Sequence, residues 1–182
     1  MNAIARVLEA LGAARPGIIG IDGPAGSGKS TLAAGIAAET GAHVVGIDDF
    51  LGWTDLDPER TTWWPRLETE VIEPFLAGRA IAYRRRDWYG DPDGIGTLPE
   101  LVEAAPGPLL VLEGVTTTRR AIAARLGVRV WVEAPADLRL ARGLARDGEH
   151  QRAHWLRWQE LESEFFAIDG TRERADVVVA TG

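Results

Sequence analysis

The stretch GIIGIDGPAGSGKST, residues 17–31, decides the fold that this sequence predicts. Its apolar start, residues 17–22, is typical of a buried strand, and residues 29–40 have the pattern of a helix that Gly41 ends. Between them lies a full match to G-x-x-x-x-G-K-S. In such a loop, backbone N–H groups surround phosphate oxygens, the lysine reaches the β- and γ-phosphates, and the serine hydroxyl binds Mg²⁺. The residues predicted to bind ATP are Gly23, Ala25, Gly26, Ser27, Gly28, Lys29, Ser30 and Thr31.

The composition excludes several classes of protein. The chain has 182 residues, with 20 basic and 27 acidic side chains, a net charge of −7 and no cysteine. Without cysteine there are no disulfides, thiolate metal sites or cysteine nucleophiles. The acidic balance argues against nucleic acid or a membrane surface as a partner, and no segment approaches the ~20 apolar residues that cross a bilayer. We expect a cytoplasmic protein.

Beyond the loop, short apolar runs alternate with segments of helical periodicity. Further strands are predicted at residues 43–47, 80–84, 109–112, 128–132 and 176–180, and further helices at 66–77, 118–126, 136–147 and 150–168. Continuous apolar strands separated by helices indicate a parallel sheet that is covered on both faces. The sequence therefore predicts a three-layer α/β/α fold, with residues 1–182 forming one domain.

Carboxylates follow two of these strands. Asp48, Asp49 and Phe50 come directly after the strand that follows the loop, at a carboxyl end, where α/β sheets place their ligands. A carboxylate there can accept a proton from an attacking hydroxyl, so Asp48 is a candidate general base. Glu113 ends the apolar run LLVLE and is a candidate for holding Mg²⁺ directly or through water, together with Ser30 and Asp48.

A row of arginines lies on a later helix. Arg139, Arg142 and Arg146 are spaced by three and four residues, which places them on roughly one helical face. Such a row can close over a triphosphate and neutralise the charge that develops during transfer, although arginine-rich helix faces are more often simply solvated.

Together these residues resemble the uridine kinase-like branch of the P-loop nucleoside kinases. The resemblance rests on GPAGSGKST at 23–31, DDF at 48–50, LEG at 112–114 and RGLARD at 142–147, in that order, and extends over residues 17–180. It implies a five-stranded parallel sheet, a mobile helical lid at about 139–155, ATP and Mg²⁺ as cofactors and a nucleoside-like acceptor. It also implies that Asp48 is the base, that Lys29 and Arg142 stabilise charge, and that Arg142 and Arg146 contact ATP.

The acceptor substrate would lie next to the segment between the strands predicted at residues 43–47 and 109–112. By the same resemblance, its candidate residues are Asp48, Phe50, Tyr83, Arg86, Asp87 and Trp88. Where the family has a Tyr-Asp-Phe segment followed by His, this chain has Arg86-Asp87-Trp88 and no nearby histidine. The tryptophans at 53, 63, 64 and 88 could stack on a base or fill a small core under a loop.

Two alternatives to a nucleoside kinase stay open. The loop is also similar to that of bacterial cytidylate kinases, and Arg84, Arg85 and Arg86 could hold an acceptor phosphate, which favours a nucleoside monophosphate kinase. A module that binds or hydrolyses ATP without any small-molecule acceptor is the alternative from another class.

Overall fold

The centre of the molecule is a five-stranded parallel sheet. The computed structural model describes residues 2–13, 16–50, 63–87 and 100–182. The strands of the sheet are β1 Gly17–Asp22, β2 His43–Gly46, β5 Leu109–Glu113, β6 Val128–Glu133 and β7 Val177–Ala180. Their order across the sheet is β2-β5-β1-β6-β7. A separate antiparallel hairpin pairs β3 Ile81–Arg85 with β4 Glu100–Ala104.

Helices cover both faces of the sheet. They are α1 Ala3–Leu11, α2 Lys29–Thr40, α3 Trp64–Leu67, α4 Glu73–Leu76, α5 Ala136–Asp147 and α6 Arg152–Asp169. A π-helical turn, Glu68–Ile72, joins α3 to α4, and short 3-10 turns occupy Ile47–Asp49, Ala123–Arg125 and Glu149–Gln151. None of the helices in the described ranges has the length and apolarity that a bilayer crossing requires.

Side chains along each strand alternate between the two faces of the sheet, and each face packs against helices to form one of two main apolar clusters. In β1, Ile19 and Ile21 pack with α1 and α2, whereas Ile18 points to the other face and packs with the segment from α3 to α4. Successive side chains of a strand point to opposite faces, so a strand buried on both sides is apolar throughout. The prediction of a three-layer α/β/α fold with a five-stranded parallel sheet is confirmed.

One predicted helix is wrong. Residues 118–126 form turns and a single 3-10 turn, Ala123–Arg125. The backbone N–H groups of Thr116 and Thr118 donate to the carboxylate of Asp22, at 2.9 and 2.7 Å, and Thr116 adopts a left-handed φ of 72°. The backbone that follows is closed mainly by i→i−3 hydrogen bonds, such as Ile122 N–H to the carbonyl of Arg119 and Leu126 N–H to that of Ala123, so it forms turns and not an α-helix.

Candidate active site

The loop at residues 23–28 connects the carboxyl end of β1 to the first turn of α2. Gly23, Gly26 and Gly28 have φ values of 137°, 77° and 99°, a region that side-chain-bearing residues rarely adopt. Close packing adds a second requirement at Gly26, where a Cβ atom would lie 2.7 Å from the carbonyl oxygen of Arg139. The loop is thus pressed against the start of α5.

Side chains from outside the loop donate hydrogen bonds to three successive backbone carbonyls on the outer side of the loop. Arg139 Nη1 donates to the carbonyl of Ala25 at 3.3 Å, and Arg142 Nη1 donates to that of Gly26 at 3.2 Å. Thr181 Oγ1 donates to the carbonyl of Ser27 at 2.6 Å. In a trans peptide the next N–H points away from the carbonyl, so the amides of residues 26–28 are directed to the opposite side, where that of Ser27 donates to the carbonyl of Pro24 at 3.2 Å. Inward amides of this kind are the phosphate-binding element of such loops.

A buried carboxylate anchors the start of the loop. Asp22 is fully buried and accepts hydrogen bonds from the N–H groups of Gly23, Thr116 and Thr118 and from the Thr118 hydroxyl, at 2.7–3.1 Å. Burial raises the pKa of the Asp22 carboxyl, while the backbone donors and Lys29 oppose that rise. Since all four partners donate, the group is held as a carboxylate. Asp22 thereby fixes the segment after β5 relative to the loop.

The side chain of Lys29 lies against the loop, and its positive charge is surrounded by carboxylates. Its Nζ donates to the carbonyls of Gly23 and Pro24 at 2.8 and 3.0 Å, and only 7% of the residue is exposed. Burial lowers the pKa of the ammonium, and nearby carboxylates, Asp22 foremost and Glu113 among them, raise it. With four carboxylates around one lysine, the ammonium stays paired with negative charge.

The structure brings Ser30 and Glu113 together, and their binding of Mg²⁺ stays a prediction. The hydroxyl of Ser30 donates to Glu113 Oε1 at 3.1 Å across the carboxyl ends of β1 and β5. Burial raises the pKa of the Glu113 carboxyl, against the effects of Lys29 and the Ser30 hydrogen bond. Both oxygens are of the hard type that Mg²⁺ prefers.

Asp48 and Asp49 lie in the 3-10 turn after β2, and their surroundings differ. Asp48 is exposed to solvent on one side and crowded by protein on the others. This partial desolvation raises the pKa of its carboxyl, while Lys29 and Arg146 lower it. Asp49 instead accepts a hydrogen bond from the Tyr83 hydroxyl at 3.1 Å.

The residues that were predicted to bind the acceptor substrate pack against one another next to Asp48 and Asp49. The rings of Phe50 and Tyr83 are stacked with centroids 5.0 Å apart, and both residues are buried in the cluster that contains α3 and α4. Arg86 is also buried, and its backbone N–H donates to the carbonyl of Asp49 at 3.1 Å. Asp87 is half-buried next to it. Contact of these residues with an acceptor stays a prediction, and Trp88 lies outside the described residues.

The arginines that an acceptor phosphate would need differ in their surroundings. Arg85 pairs with Glu100 on the neighbouring strand of the hairpin, with a closest distance of 2.7 Å, and Arg84 is exposed. Among the tryptophans, Trp63 is buried in the core, and Trp64 lines an open groove of about 470 Å³ together with Glu68 and Arg125. Trp53, like Trp88, falls outside the described ranges.

The three arginines of α5 have different partners. Arg139 is buried, whereas Arg142 and Arg146 are exposed. Arg142 binds Gly26 and the Thr181 hydroxyl, on the outer side of the loop. Arg146 pairs with Asp147, lies 5.6 Å from the ring centroid of Trp155, and is close enough to Asp48 to lower its pKa. The roles of Arg142 and Arg146 toward ATP, and the mobility of the lid at 139–155, stay predictions.

Two of the described residues that contact the loop, Thr181 and Glu162, were not predicted from the sequence. Glu162 of α6 is 1% exposed, accepts the N–H of Ala25 at 2.8 Å and pairs with Arg139 at 2.7 Å. A signal was present in the sequence, because Glu162 follows Trp155 by seven residues and precedes Phe165 and Phe166 by three and four. It is therefore a carboxylate in the middle of a buried helical stripe.

The residues present fit Mg²⁺ bound together with a nucleotide. Within the described ranges, no group of three or more His, Asp or Glu side chains is arranged to hold a metal ion by itself. Mg²⁺ in kinases is usually held by one or two protein oxygens, water and substrate phosphates. The pair of Ser30 and Glu113, with Asp48 nearby, is a donor set of this kind.

Comparisons with known proteins agree on the fold. No protein-family model matches the chain, and no curated protein matches it by sequence. Among solved structures, a candidate fructose transport system kinase from Silicibacter sp. TM1040 is 26% identical, with 98% of each chain covered and a TM-score of 0.63. A candidate uridine kinase from Bacillus stearothermophilus is 18% identical, with 92% of this chain and 90% of that chain covered and a TM-score of 0.62.

A third similar structure is the D-glycerate 3-kinase from Cryptococcus neoformans var. grubii, which is 14% identical with a TM-score of 0.60. The match covers 88% of this chain and 86% of that chain. These proteins have the same overall fold as this chain and are named for different acceptors. The chain therefore has the fold of the P-loop kinases.

Proposed function

We propose that this chain is an ATP-dependent, Mg²⁺-requiring kinase that transfers the γ-phosphate to a hydroxyl of a small acceptor, with a nucleoside as the first candidate. The observation that carries this proposal is the convergence of Lys29, Glu113 and Asp48 at the carboxyl ends of three adjacent strands, β1, β5 and β2. In open α/β sheets this end is the usual place for ligands.

Each of these residues has a distinct task in the proposed reaction. Lys29 and the inward loop amides bind and orient the phosphates. The Asp48 carboxylate accepts the proton of the acceptor hydroxyl, whose oxygen bonds to the γ-phosphorus as the bond to the departing ADP oxygen breaks. Mg²⁺, held by Ser30 and by Glu113 and Asp48 directly or through water, would neutralise phosphate charge.

The surroundings of Asp48 favour the role of a general base for this residue over a purely structural role. Asp49 next to it is tied to Tyr83, whereas Asp48 faces solvent and the positive charges of Lys29 and Arg146. A carboxylate that must receive a proton from a diffusing acceptor has to be reachable from solvent. This contrast also supplies a matched pair of variants.

The test is a phosphorylation screen with wild-type protein, Asp48→Asn and Asp49→Asn. ADP release is measured with Mg²⁺-ATP over a panel of nucleosides, nucleoside monophosphates, free sugars and small hydroxy acids, and products are identified by mass spectrometry. We expect Asp48→Asn to lower kcat by about 10²–10⁴-fold with little change in ATP affinity, and Asp49→Asn to retain most turnover.

The outcomes separate the competing functions. Full turnover by Asp48→Asn would remove Asp48 from the mechanism. Phosphorylation of monophosphates alone would favour the cytidylate-type alternative, and ADP release that no acceptor changes would indicate an ATPase or a regulatory module. Sugars belong in the panel because the structure from Silicibacter, at 26% identity, is named for fructose.

A further inference from the structure

We infer that Glu162 and Arg139 are positioning residues for the phosphate-binding loop, and that together they fix the two peptide groups on either side of Ala25. This inference rests on the proposed function, because the ligand of the loop is taken to be a nucleoside triphosphate. It gives α6, a helix that carries none of the predicted site residues, a role in nucleotide binding.

The first peptide group is set by Glu162. Its Oε2 accepts the N–H of Ala25 at 2.8 Å, on the side of α6. Because the peptide is planar and trans, the carbonyl of Pro24 points the opposite way. That carbonyl accepts the Lys29 ammonium at 3.0 Å. The carboxylate of Glu162 therefore acts on Lys29 through a single rigid peptide group.

The second peptide group is set by Arg139. Its Nη1 donates both to Glu162 Oε1 at 2.7 Å and to the carbonyl of Ala25 at 3.3 Å. The amide of Gly26 is consequently directed away from the arginine and toward the interior of the loop. One buried ion pair thus binds both backbone polar groups of Ala25.

A contribution to folding stability alone does not explain why Glu162 and Arg139 are buried as an ion pair. A buried ion pair contributes little net stability compared with apolar residues of the same size, because both charges lose their hydration. Here the two charges are placed so that one accepts and the other donates to the same residue of the loop. An apolar pair could fill the volume but could not orient the peptide groups.

Glu162→Gln tests the carboxylate without changing its size. A glutamine has one acceptor oxygen, so either the N–H of Ala25 or the guanidinium of Arg139 must face the donating NH₂ group. The matched control is Glu160→Gln, which removes a carboxylate from the same helix where it pairs with Arg157 on the surface. Binding of a fluorescent ATP analogue with Mg²⁺, steady-state kinetics and thermal unfolding are measured for each protein.

We expect Glu162→Gln to weaken nucleotide binding by about 10-fold or more, the usual effect of losing a hydrogen bond to a charged group, while kcat at saturating ATP changes little. Glu160→Gln should behave as the wild type. A loss of thermal stability alone, with ATP affinity within about threefold of the control, would overturn the inference, as would a fall in kcat with unchanged KM.

A second variant keeps the test decisive if Glu162→Gln does not fold. Arg139→Lys retains the charge but has no planar fork to reach Glu162 and Ala25 together, so it should weaken nucleotide binding in the same way. Unchanged ATP affinity in Arg139→Lys would contradict the inference. A wild-type protein that binds no nucleotide would refute the proposed function as well, whereas normal binding by a folded Glu162→Gln variant would refute this inference alone.

Discussion

Gly143→Ala should destabilise the protein, although a helix-propensity argument predicts the opposite. Gly143 lies inside α5, where alanine is favoured over glycine by about 1 kcal/mol. A Cβ atom at this position would lie 2.4 Å from Cε2 and Cζ2 of Trp155, so the indole ring has to move. Trp155 is buried, and its indole N–H donates to Asp147 at 2.9 Å, so a shift of the ring strains its packing and this hydrogen bond.

The magnitude follows from these opposing effects. Overpacking a core costs about 1–3 kcal/mol. Loss of the Trp155 hydrogen bond adds about 1 kcal/mol. After the propensity gain is subtracted, we expect a net destabilisation of about 1–3 kcal/mol and a Tm that is about 2–12 °C lower for a chain of this size.

The assay is thermal unfolding by circular dichroism, with Gly35→Ala as the matched control. Gly35 also lies inside a helix, α2, but its Cβ atom would meet the flexible end of Ile4, 2.9 Å away at Cδ1. That methyl group can shift, so the control should keep its Tm or gain a few degrees. If Gly143→Ala is as stable as the wild type or more stable, the packing of Trp155 on α5 is looser than described, and the reasoning fails.

Three further predictions concern carboxylates. Glu113→Gln should raise the Mg²⁺ concentration required for half-maximal activity, measured by titration at fixed ATP, and an unchanged requirement would remove Glu113 from the metal site. The proposed base must be ionised, so kcat/KM should fall as the pH drops through the raised pKa of Asp48; an acid limb with its midpoint below the ordinary value of 3.8 would contradict this assignment. Hydrogen bonds from Arg172 hold the pKa of Glu133 below its ordinary value of 4.5, so this pair stabilises the fold above pH 4.5 and loses that effect as the pH falls through the lowered pKa. The Tm difference between wild type and Glu133→Gln should accordingly be present at pH 7 and shrink at acid pH, and a difference that grows toward acid pH would show the sign to be wrong.

Local patterns were sufficient to predict most of the central sheet. The strand predicted at 17–22 is β1 as observed, and the one predicted at 109–112 is β5 with Glu113 added. These strands are buried on both faces, so their apolar runs are continuous, and their short length indicates strands and not helices. The pairing of Ser30 with Glu113 follows from the same logic, because carboxyl ends of adjacent parallel strands share one edge.

The features that sequence patterns did not predict depend on distant partners. Residues 118–126 have helical periodicity, but Asp22, 96 residues before Thr118, fixes the backbone at Thr116 and Thr118, and the residues that follow are closed mainly by i→i−3 turns. Strand β4 is exposed or half-buried throughout, so it lacks the apolar signal that reveals a strand. Glu162 resembles the surface acids Glu160 and Glu164 in type, and only its place in the buried stripe distinguishes it.

The contacts that hold the phosphate-binding loop also determine when during folding the loop can acquire its shape. Ala25 is 137 residues from Glu162, and Ser27 is 154 residues from Thr181. Contacts this distant in sequence form late, because the entropy of closing a long loop must be overcome first. A chain emerging from the ribosome therefore carries the whole phosphate-loop motif long before the residues that orient it have been synthesised. If the chain binds ATP as proposed, ATP binding should require that the C-terminal half has folded. In a refolding experiment, recovery of nucleotide binding should therefore lag behind formation of secondary structure.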